Sequence, residues 1–287
     1  MIAVFKREFK SFFTNVTGPL FISFLLCFIG IYVMFINLRG GYSSFEYSLS
    51  NVSMVLLLIV PILTMRSFAE ERHSKTDQLL YSLPMGIGSI VLGKYLAMLA
   101  VLAIPTAIAA LYPLILGTLG EVAYGSAYLA LFSFFLLGAA LIAVGMFMSS
   151  LTESQVIAAV MSFGVLLLMY MMKSLSALVP QTKEASLICF LVLSAVLALV
   201  LYSLTKSTAV SVVLFAALAF VTAVFYYFKS AAFAGLFGKV ISYLAVFEHF
   251  LDLTEGVFDL TAVVYLISVA FFFVYLTCRS VEKRRYA

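Results

Sequence analysis

Charged side chains able to make specific ionic contacts are concentrated in one short stretch of the chain. Only 10% of all residues are charged, yet residues 67–85, SFAEERHSKTDQLLYSLPM, carry charge of both signs. The ionisable residues there are Glu70, Glu71, Arg72, His73, Lys75 and Asp77. Such a surface suits a complementary protein partner, because matched charges give an interface its specificity. A solvated loop without a partner is the alternative interpretation.

The same stretch carries signals for helix formation. Ser67 stands three residues before Glu70, and Ser74 three residues before Asp77, which is the spacing of a capping box. Two short helices are therefore predicted in succession, and Pro84 predicts the end of the second. The second helix would have an apolar edge made by Leu79, Leu80 and Leu83. A helix with mixed charge and an apolar edge is typical of docking into a protein groove.

The rest of the chain is dominated by apolar runs. Hydrophobic residues make up 64% of it, and the mean hydropathy is +1.17. Because about 20 helical residues span a bilayer, the runs predict an all-α polytopic membrane protein with about eight transmembrane helices. The runs lie near residues 18–37, 52–67, 89–117, 126–148, 155–173, 185–204, 208–228 and 260–278. Six spans follow if the pair at 185–228 does not cross.

Lys and Arg predict the orientation of these spans. With the N-terminus in the cytoplasm, twelve basic residues fall on the inner side and five on the outer side, which favours cytoplasmic termini at both ends. Residues 3–14 alternate basic and aromatic side chains, and this pattern predicts an amphipathic helix within residues 1–17 at the inner membrane surface. A signal peptide is the alternative, but the apolar run from Pro19 to Ile36 is too long and lacks a cleavage site.

Two apparent cofactor signals are rejected. GSIVLGKY, residues 88–95, matches the start of a phosphate-binding loop but has Tyr95 where Ser or Thr should hold magnesium, and it precedes a predicted span. Lys94 is instead expected to anchor the span by snorkelling to the inner interface. Cys27, Cys189 and Cys278 lie in apolar runs and are expected to be buried small hydrophobes. No metal or cofactor is expected in this chain.

An amphipathic segment at residues 229–259 is predicted on the outer side. Its acids and its histidine recur every three or four residues beside aromatic side chains, which predicts a helix that caps an exit. The predicted exit cap comprises Glu248, His249, Asp252, Gly256 and Asp259, and Glu255 shares the pattern. A metal site made by His249 and two carboxylates is the alternative. In the fourth span, Gly138, Ala139 and Gly145 predict close helix packing, with a hinge as the alternative.

Three sequence segments together resemble one known family. They are MRSFAEERHSKTDQLLYSLPM running into VLGKYLAML, SSLTESQVIAAVMSFGVLL at 149–167, and EHFLDLTEGVFDLTAVVYL at 248–266. In this order they are similar to ABC-2 type permeases, in particular to the gliding-motility and nitrous-oxide-reductase maturation exporters. The resemblance implies one permease domain over 1–287 in the bacterial cytoplasmic membrane, without enzymatic activity of its own.

The resemblance also implies partners. A cytoplasmic ABC ATPase subunit would bind ATP and Mg and drive alternating access that moves substrate outward, and a second permease chain, identical or paralogous, would complete the dimer in the lipid bilayer. No nucleic-acid partner is implied. The loop at 66–85 would hold the coupling helix, whose expected ATPase contacts are Ser67, Phe68, Glu70, Glu71, Arg72, Thr76, Gln78, Leu79 and Leu80. A second inner contact would be Thr152, Glu153, Ser154 and Gln155.

Two other functions remain open at this point. An ion-coupled secondary carrier would use ionisable residues at membrane depth, where each costs about 2.5–3.5 kcal/mol on insertion scales. The predicted spans are nearly free of such residues, which disfavours this alternative. A membrane-embedded lipid-modifying enzyme would need a polar cluster at the interface, and only the outer acidic segment offers one.

Overall fold

The computed structural model describes residues 1–76, 86–178, 180, 182–205, 208–228, 233, 235–254 and 258–285. Every regular element among these residues is a helix, which confirms the all-α fold. The helices are α1 Ile2–Thr14, α2 Thr17–Tyr32, α3 Phe45–Val52, α4 Leu56–Thr64, α5 Arg66–His73, α6 Ile87–Ala109, α7 Leu111–Gly117, α8 Tyr124–Leu151, α9 Gln155–Leu178, α10 Lys183–Thr205, α11 Thr208–Phe228, α12 Leu236–Tyr243, α13 Val246–Thr254 and α14 Leu260–Arg285.

Six helical runs in the described part of the chain are long and apolar enough to cross a membrane. They are Thr17–Arg39, Phe45–His73, Ile87–Gly117, Tyr124–Leu151, Gln155–Leu178 and Leu260–Arg284. Each of the six overlaps one predicted span. The predicted pair at 185–228 forms the helices α10 and α11, and whether this pair crosses the membrane stays a prediction.

The predicted limits of the second span are wrong at both ends. Its helical run starts at Phe45 rather than near residue 52, and it continues to His73, through the first seven residues of the charged stretch. The early start follows from burial, because Phe45, Leu49 and Val52 point into the core although their neighbours are polar. The charged stretch therefore begins as an extension of a span.

The chain divides into two compact units, and the first comprises Met1–Leu168 and Val246–Ala287. Its central element is α8, which packs against α4, α5, α6, α13 and α14. Small side chains permit this packing: a Cβ on Gly138 would collide with Leu102, and one on Gly145 would collide with Thr64. The prediction of close helix packing at these positions is confirmed.

Helix α1 is amphipathic, as predicted, and packs along α6. Val4 is buried at Gly93, where an added Cβ would come within 3.0 Å of the Val4 side chain. Phe5, Phe9 and Phe13 form a row on the neighbouring face, with ring centroids 5.8 and 5.1 Å apart. Lys6 and Lys10 are exposed. Its placement on a membrane surface stays a prediction.

The second unit comprises Met169–Ala245. In it α10 packs along α11, and α12 packs against α10. Aromatic rings hold the second contact, since the Phe190 ring lies 5.7 Å from that of Phe233 and 5.0 Å from that of Phe237. The Ser176 hydroxyl donates a hydrogen bond of 2.9 Å to the carbonyl of Gly238, which ties the end of α9 to α12.

Candidate functional site

The charged stretch forms helix α5, but not with the predicted caps. Met65 alone separates α4 from α5 and has helical backbone angles, so the chain has no helix start at Ser67 for that side chain to cap. The Ser67 hydroxyl is buried and has no hydrogen-bond partner in the described structure. Ser74 is the residue at which α5 ends, and its hydroxyl donates to the carbonyl of Glu70 at 2.8 Å. The predicted cap at Ser67 is therefore wrong, and Asp77 lies outside the described residues.

A serine from α8 replaces the missing cap. The Ser149 hydroxyl accepts hydrogen bonds from the backbone amides of Phe68 and Ala69, each at 3.2 Å, and donates one to the carbonyl of Met65 at 3.0 Å. These amides belong to the first turn of α5, where backbone donors have no partner inside the helix. Helix α5 is thus capped by a side chain from another span.

Lys94, near the start of α6, lies under α5 as a buried cation. Only 2% of its side chain is exposed. Its Nζ donates to the carbonyl of Ser67 at 2.7 Å, pairs with Glu71 at 2.9 Å and with Glu8 at 3.4 Å, and lies over the Phe68 ring. The predicted snorkelling of Lys94 to the interface is therefore wrong, because two carboxylates satisfy its charge inside the protein.

Arg7 completes this cluster, because it contacts the same two carboxylates as Lys94. Its guanidinium pairs with Glu8 and, at 2.8 Å, with Glu71. Two cations and two anions thus form a group without net charge, which we call the ion cluster: Arg7, Glu8, Glu71 and Lys94. Burial acts to raise the pKa of the Glu8 carboxyl, but the charges of Lys94 and Arg7 outweigh it and hold this pKa below its usual value. The ion cluster therefore joins α1, α5 and α6.

The predicted second inner contact lies beside the end of α14. The Arg284 guanidinium donates to the carbonyl of Leu151 at 2.8 Å and lies 3.9 Å from the Glu153 carboxylate. The amide of Ser154 bonds to the hydroxyl of Thr152 at 3.2 Å, which shapes the turn between α8 and α9. Since Ser149 is two residues before Leu151, this turn and α5 meet at one end of the first unit.

Burial separates the predicted ATPase contacts into two groups. Ser67, Phe68 and Arg72 are buried, Glu71 is held in the ion cluster, and Glu70 pairs with Arg66 at 3.0 Å. Among residues 66–76, which the structure describes, the exposed ones are His73, Ser74, Lys75 and Thr76. Gln78, Leu79 and Leu80 lie outside the described residues. Contact of any of these residues with an ATPase stays a prediction.

The predicted exit cap lies far from this end. Helix α13 packs on α8 through Phe250 and Phe134, whose ring centroids are 6.3 Å apart. Phe134 precedes Ser149 by fifteen residues, which corresponds to about 22 Å along the helix. The two sites therefore lie toward opposite ends of α8.

Its polar residues make local contacts. The His249 ring lies 4.2 Å from that of Tyr265, and its Nδ1 lies 3.8 Å from Asp252. Asp259 accepts a hydrogen bond from the amide of Thr261 at 2.8 Å, which caps α14 and lowers the pKa of the Asp259 carboxyl. Within the described residues no three His, Cys, Asp or Glu side chains come close enough to hold a metal. Gly256 lies outside them, and a role in an exit stays a prediction.

Sequence reasoning missed three residues of this site, Arg7, Glu8 and Ser149. Glu8 is the only acid before Glu46, and an acid in an otherwise basic segment is a signal that it pairs inside the protein. Ser149 offers no such signal, because serine in a membrane helix commonly bonds to its own backbone. The cysteines are free thiols, and Cys27 is exposed rather than buried as predicted, since it lies on the outer surface of α2.

Comparison with known families agrees with this fold. Residues 3–186 match the family model described as ABC-2 family transporter protein, which covers the charged stretch, the ion cluster and the α8–α9 turn. No curated protein matches the chain closely enough to count as a relative. The match confirms the resemblance at the level of the family, while the narrower likeness to gliding-motility and nitrous-oxide-reductase maturation exporters stays a prediction.

Proposed function

Because the chain belongs to the ABC-2 family of transporter proteins, we propose that it is the membrane subunit of an exporter driven by a separate cytoplasmic ATPase. The family is a membrane component of ABC transporters, and such a component works in general with an ABC ATPase subunit. Outward transport by alternating access, a dimer of permease chains and residence in a bacterial cytoplasmic membrane are parts of the proposal.

One observation carries the proposal: α5 is joined to three neighbouring helices at a single end of the unit. The ion cluster links it to α1 and α6, and Ser149 links it to α8. An external motor can change the arrangement of spans only through an element whose contacts differ between two states. A helix with exposed residues at its tip and bonds to two spans, α6 and α8, and to helix α1 meets this requirement.

The exposure of the side chains in and after α5 indicates where the ATPase would bind. Buried side chains of α5 hold the helix in place, so the proposed contact moves to the exposed turn at residues 73–76, with the α8–α9 turn as the second contact. Residues 78–80 remain part of the proposed contact. Charge reversal at Glu71 would not test this, because it would put a second cation beside Lys94, now 2.9 Å from the carboxylate.

The experiment is a pull-down of the tagged chain from native membranes in mild detergent, with co-purifying proteins identified by mass spectrometry. Lys75→Glu is compared with wild type and with Lys239→Glu, which makes the same charge change on exposed α12, on the predicted outer side. Loss of an ATPase with Lys75→Glu alone supports the proposed contact.

Other outcomes separate the parts of the proposal. An ATPase retained by all three proteins keeps the subunit assignment and contradicts the contact at Lys75. Recovery of the wild-type chain without an ATPase, in a preparation that keeps other complexes intact, contradicts the ABC assignment and favours the ion-coupled carrier.

A further inference from the structure

We propose that Ser149 joins the two ATPase contacts, the turn at 73–76 and the α8–α9 turn, so that they move as one body. The inference rests on the proposed function for the identity of the partner, but the joint itself is a property of this chain. Ser149 is a positioning residue on this account, since it acts through the backbone of α5.

The joint consists of a single hydroxyl group, that of Ser149, whose donor and acceptor positions are all occupied by hydrogen bonds. A serine hydroxyl has one hydrogen to donate and two lone pairs to accept, and Ser149 uses all three on Met65, Phe68 and Ala69. Its side chain is 0% exposed, so solvent does not compete for these bonds.

The three bonds cross the place where α5 could otherwise bend. Met65 is the single residue between α4 and α5. Just after it, the amides of Phe68 and Ala69 bond to Ser149 of α8, so this junction is the place where the second span can bend. Because Ser149 bonds to Met65 at the hinge and to the first turn of α5 beyond it, a tilt of α5 relative to α4 must break these bonds or move α8 as well.

The same serine lies close to the second contact in sequence. Leu151 ends α8 two residues later, and Thr152 to Gln155 form the turn that Arg284 supports from α14. A displacement of either turn is thus passed to the other through Ser149. The ATPase would then move two inner turns in concert instead of one coupling helix alone.

The first test needs only the purified chain in detergent. Hydrogen exchange by mass spectrometry compares wild type, Ser149→Ala and Ser150→Ala. Ser150 is the matched control, because it is equally buried and its hydroxyl bonds locally to the carbonyl of Phe147 at 2.7 Å. Loss of a hydrogen bond should speed exchange at Phe68 and Ala69 about tenfold in Ser149→Ala. Equal exchange in the two variants would overturn the proposal.

The second test uses the complex with the co-purified ATPase, free of nucleotide and trapped with ATP and vanadate. In wild type and Ser150→Ala, trapping should change the exchange of peptides covering 66–76 and 149–155 together. In Ser149→Ala the ATPase should still bind, while only one of the two peptides responds. A general loss of stability would speed the exchange of both peptides in both nucleotide states, which distinguishes it from the expected result. If trapping changes the exchange of both peptides together in Ser149→Ala, the proposal is overturned.

The two tests separate the two possible failures. Absence of an ATPase contradicts the proposed function, whereas faster exchange at Phe68 in the same preparation still establishes the joint. An ATPase that binds and protects both turns, without any effect of Ser149→Ala, contradicts the joint alone.

Discussion

Lys94→Met is the most informative single change in the ion cluster. Methionine is unbranched and of similar length, so the change removes the cation with little loss of volume. Glu8 and Glu71 would then face each other with Arg7 as their remaining counter-ion in the cluster, and Arg7 is 53% exposed. The carbonyl of Ser67 would lose its hydrogen bond to the ammonium group as well.

The expected cost follows from burial. Removing one partner of a buried pair destabilises a protein by about 3–5 kcal/mol. The side chains of Glu8 and Glu71 are 15% and 18% exposed. Water can therefore relieve part of the cost of leaving their charges unpaired, and the lower end of the range, about 3 kcal/mol, applies. The triple variant Lys94→Met, Glu8→Gln, Glu71→Gln removes both buried carboxylates and leaves only the charge of Arg7, which is half exposed and can be solvated, so it should recover most of this loss.

The assay is chemical unfolding of the purified chain in detergent, followed by circular dichroism because the chain has no Trp. Lys10→Met, on the exposed face of α1, is the control and should change the free energy of unfolding by less than about 0.5 kcal/mol. A Lys94→Met protein as stable as this control would refute the reasoning. So would a triple variant no more stable than Lys94→Met, since charge would then not explain the loss.

Three further predictions concern packing, pH and the α8–α9 turn. Gly145→Ala should destabilise by about 1–3 kcal/mol through collision with Thr64, whereas Gly125→Ala, on the same helix with no neighbour near its Cβ, should be neutral or stabilising in the same assay. Because the folded pKa of Glu8 lies below 4.5, its stabilisation is present above that pH and is lost as the pH falls through the folded pKa. Wild type should therefore lose stability relative to Glu8→Gln in titrations below about pH 4.5, and a constant difference would contradict this. Arg284→Ala should speed hydrogen exchange around residues 151–155 and leave that of α13 unchanged. Unchanged exchange at 151–155 would show that the contact with Leu151 does not stabilise the α8–α9 turn.

The sequence predicted the spans well because each depends on a local property. An apolar run of the right length must be helical inside a bilayer, where no other structure satisfies the backbone. The second span shows where this logic fails. Phe45–Val52 reads as a polar loop, yet Phe45 and Leu49 are buried and Ser50 bonds to Thr254 in α13, so distant contacts place this segment in the helix.

The ion cluster could not be predicted from local sequence patterns, for a similar reason. The charge of a lysine near the end of a span, such as Lys94, can be stabilised in two ways: the side chain can extend to the membrane interface, or it can pair with carboxylates inside the protein. The choice depends on whether carboxylates from distant segments reach it, and Glu8 and Glu71 belong to different helices. A pattern within one segment cannot decide this, although the isolated acid in α1 was a usable hint.

The charges of the 67–85 stretch serve two purposes, and this decides how mutations in it are interpreted. Glu71 and Arg72 face inward: the first binds Lys94 and Arg7, and the second is 6% exposed. His73 and Lys75 face outward and are available to a partner. Reversal of an inward charge should lower the stability of the isolated chain before any partner is added, whereas reversal of Lys75 should leave that stability unchanged and affect only association. Measuring unfolding and ATPase recovery on the same variants therefore separates the residues that hold α5 from the residues that would bind the motor.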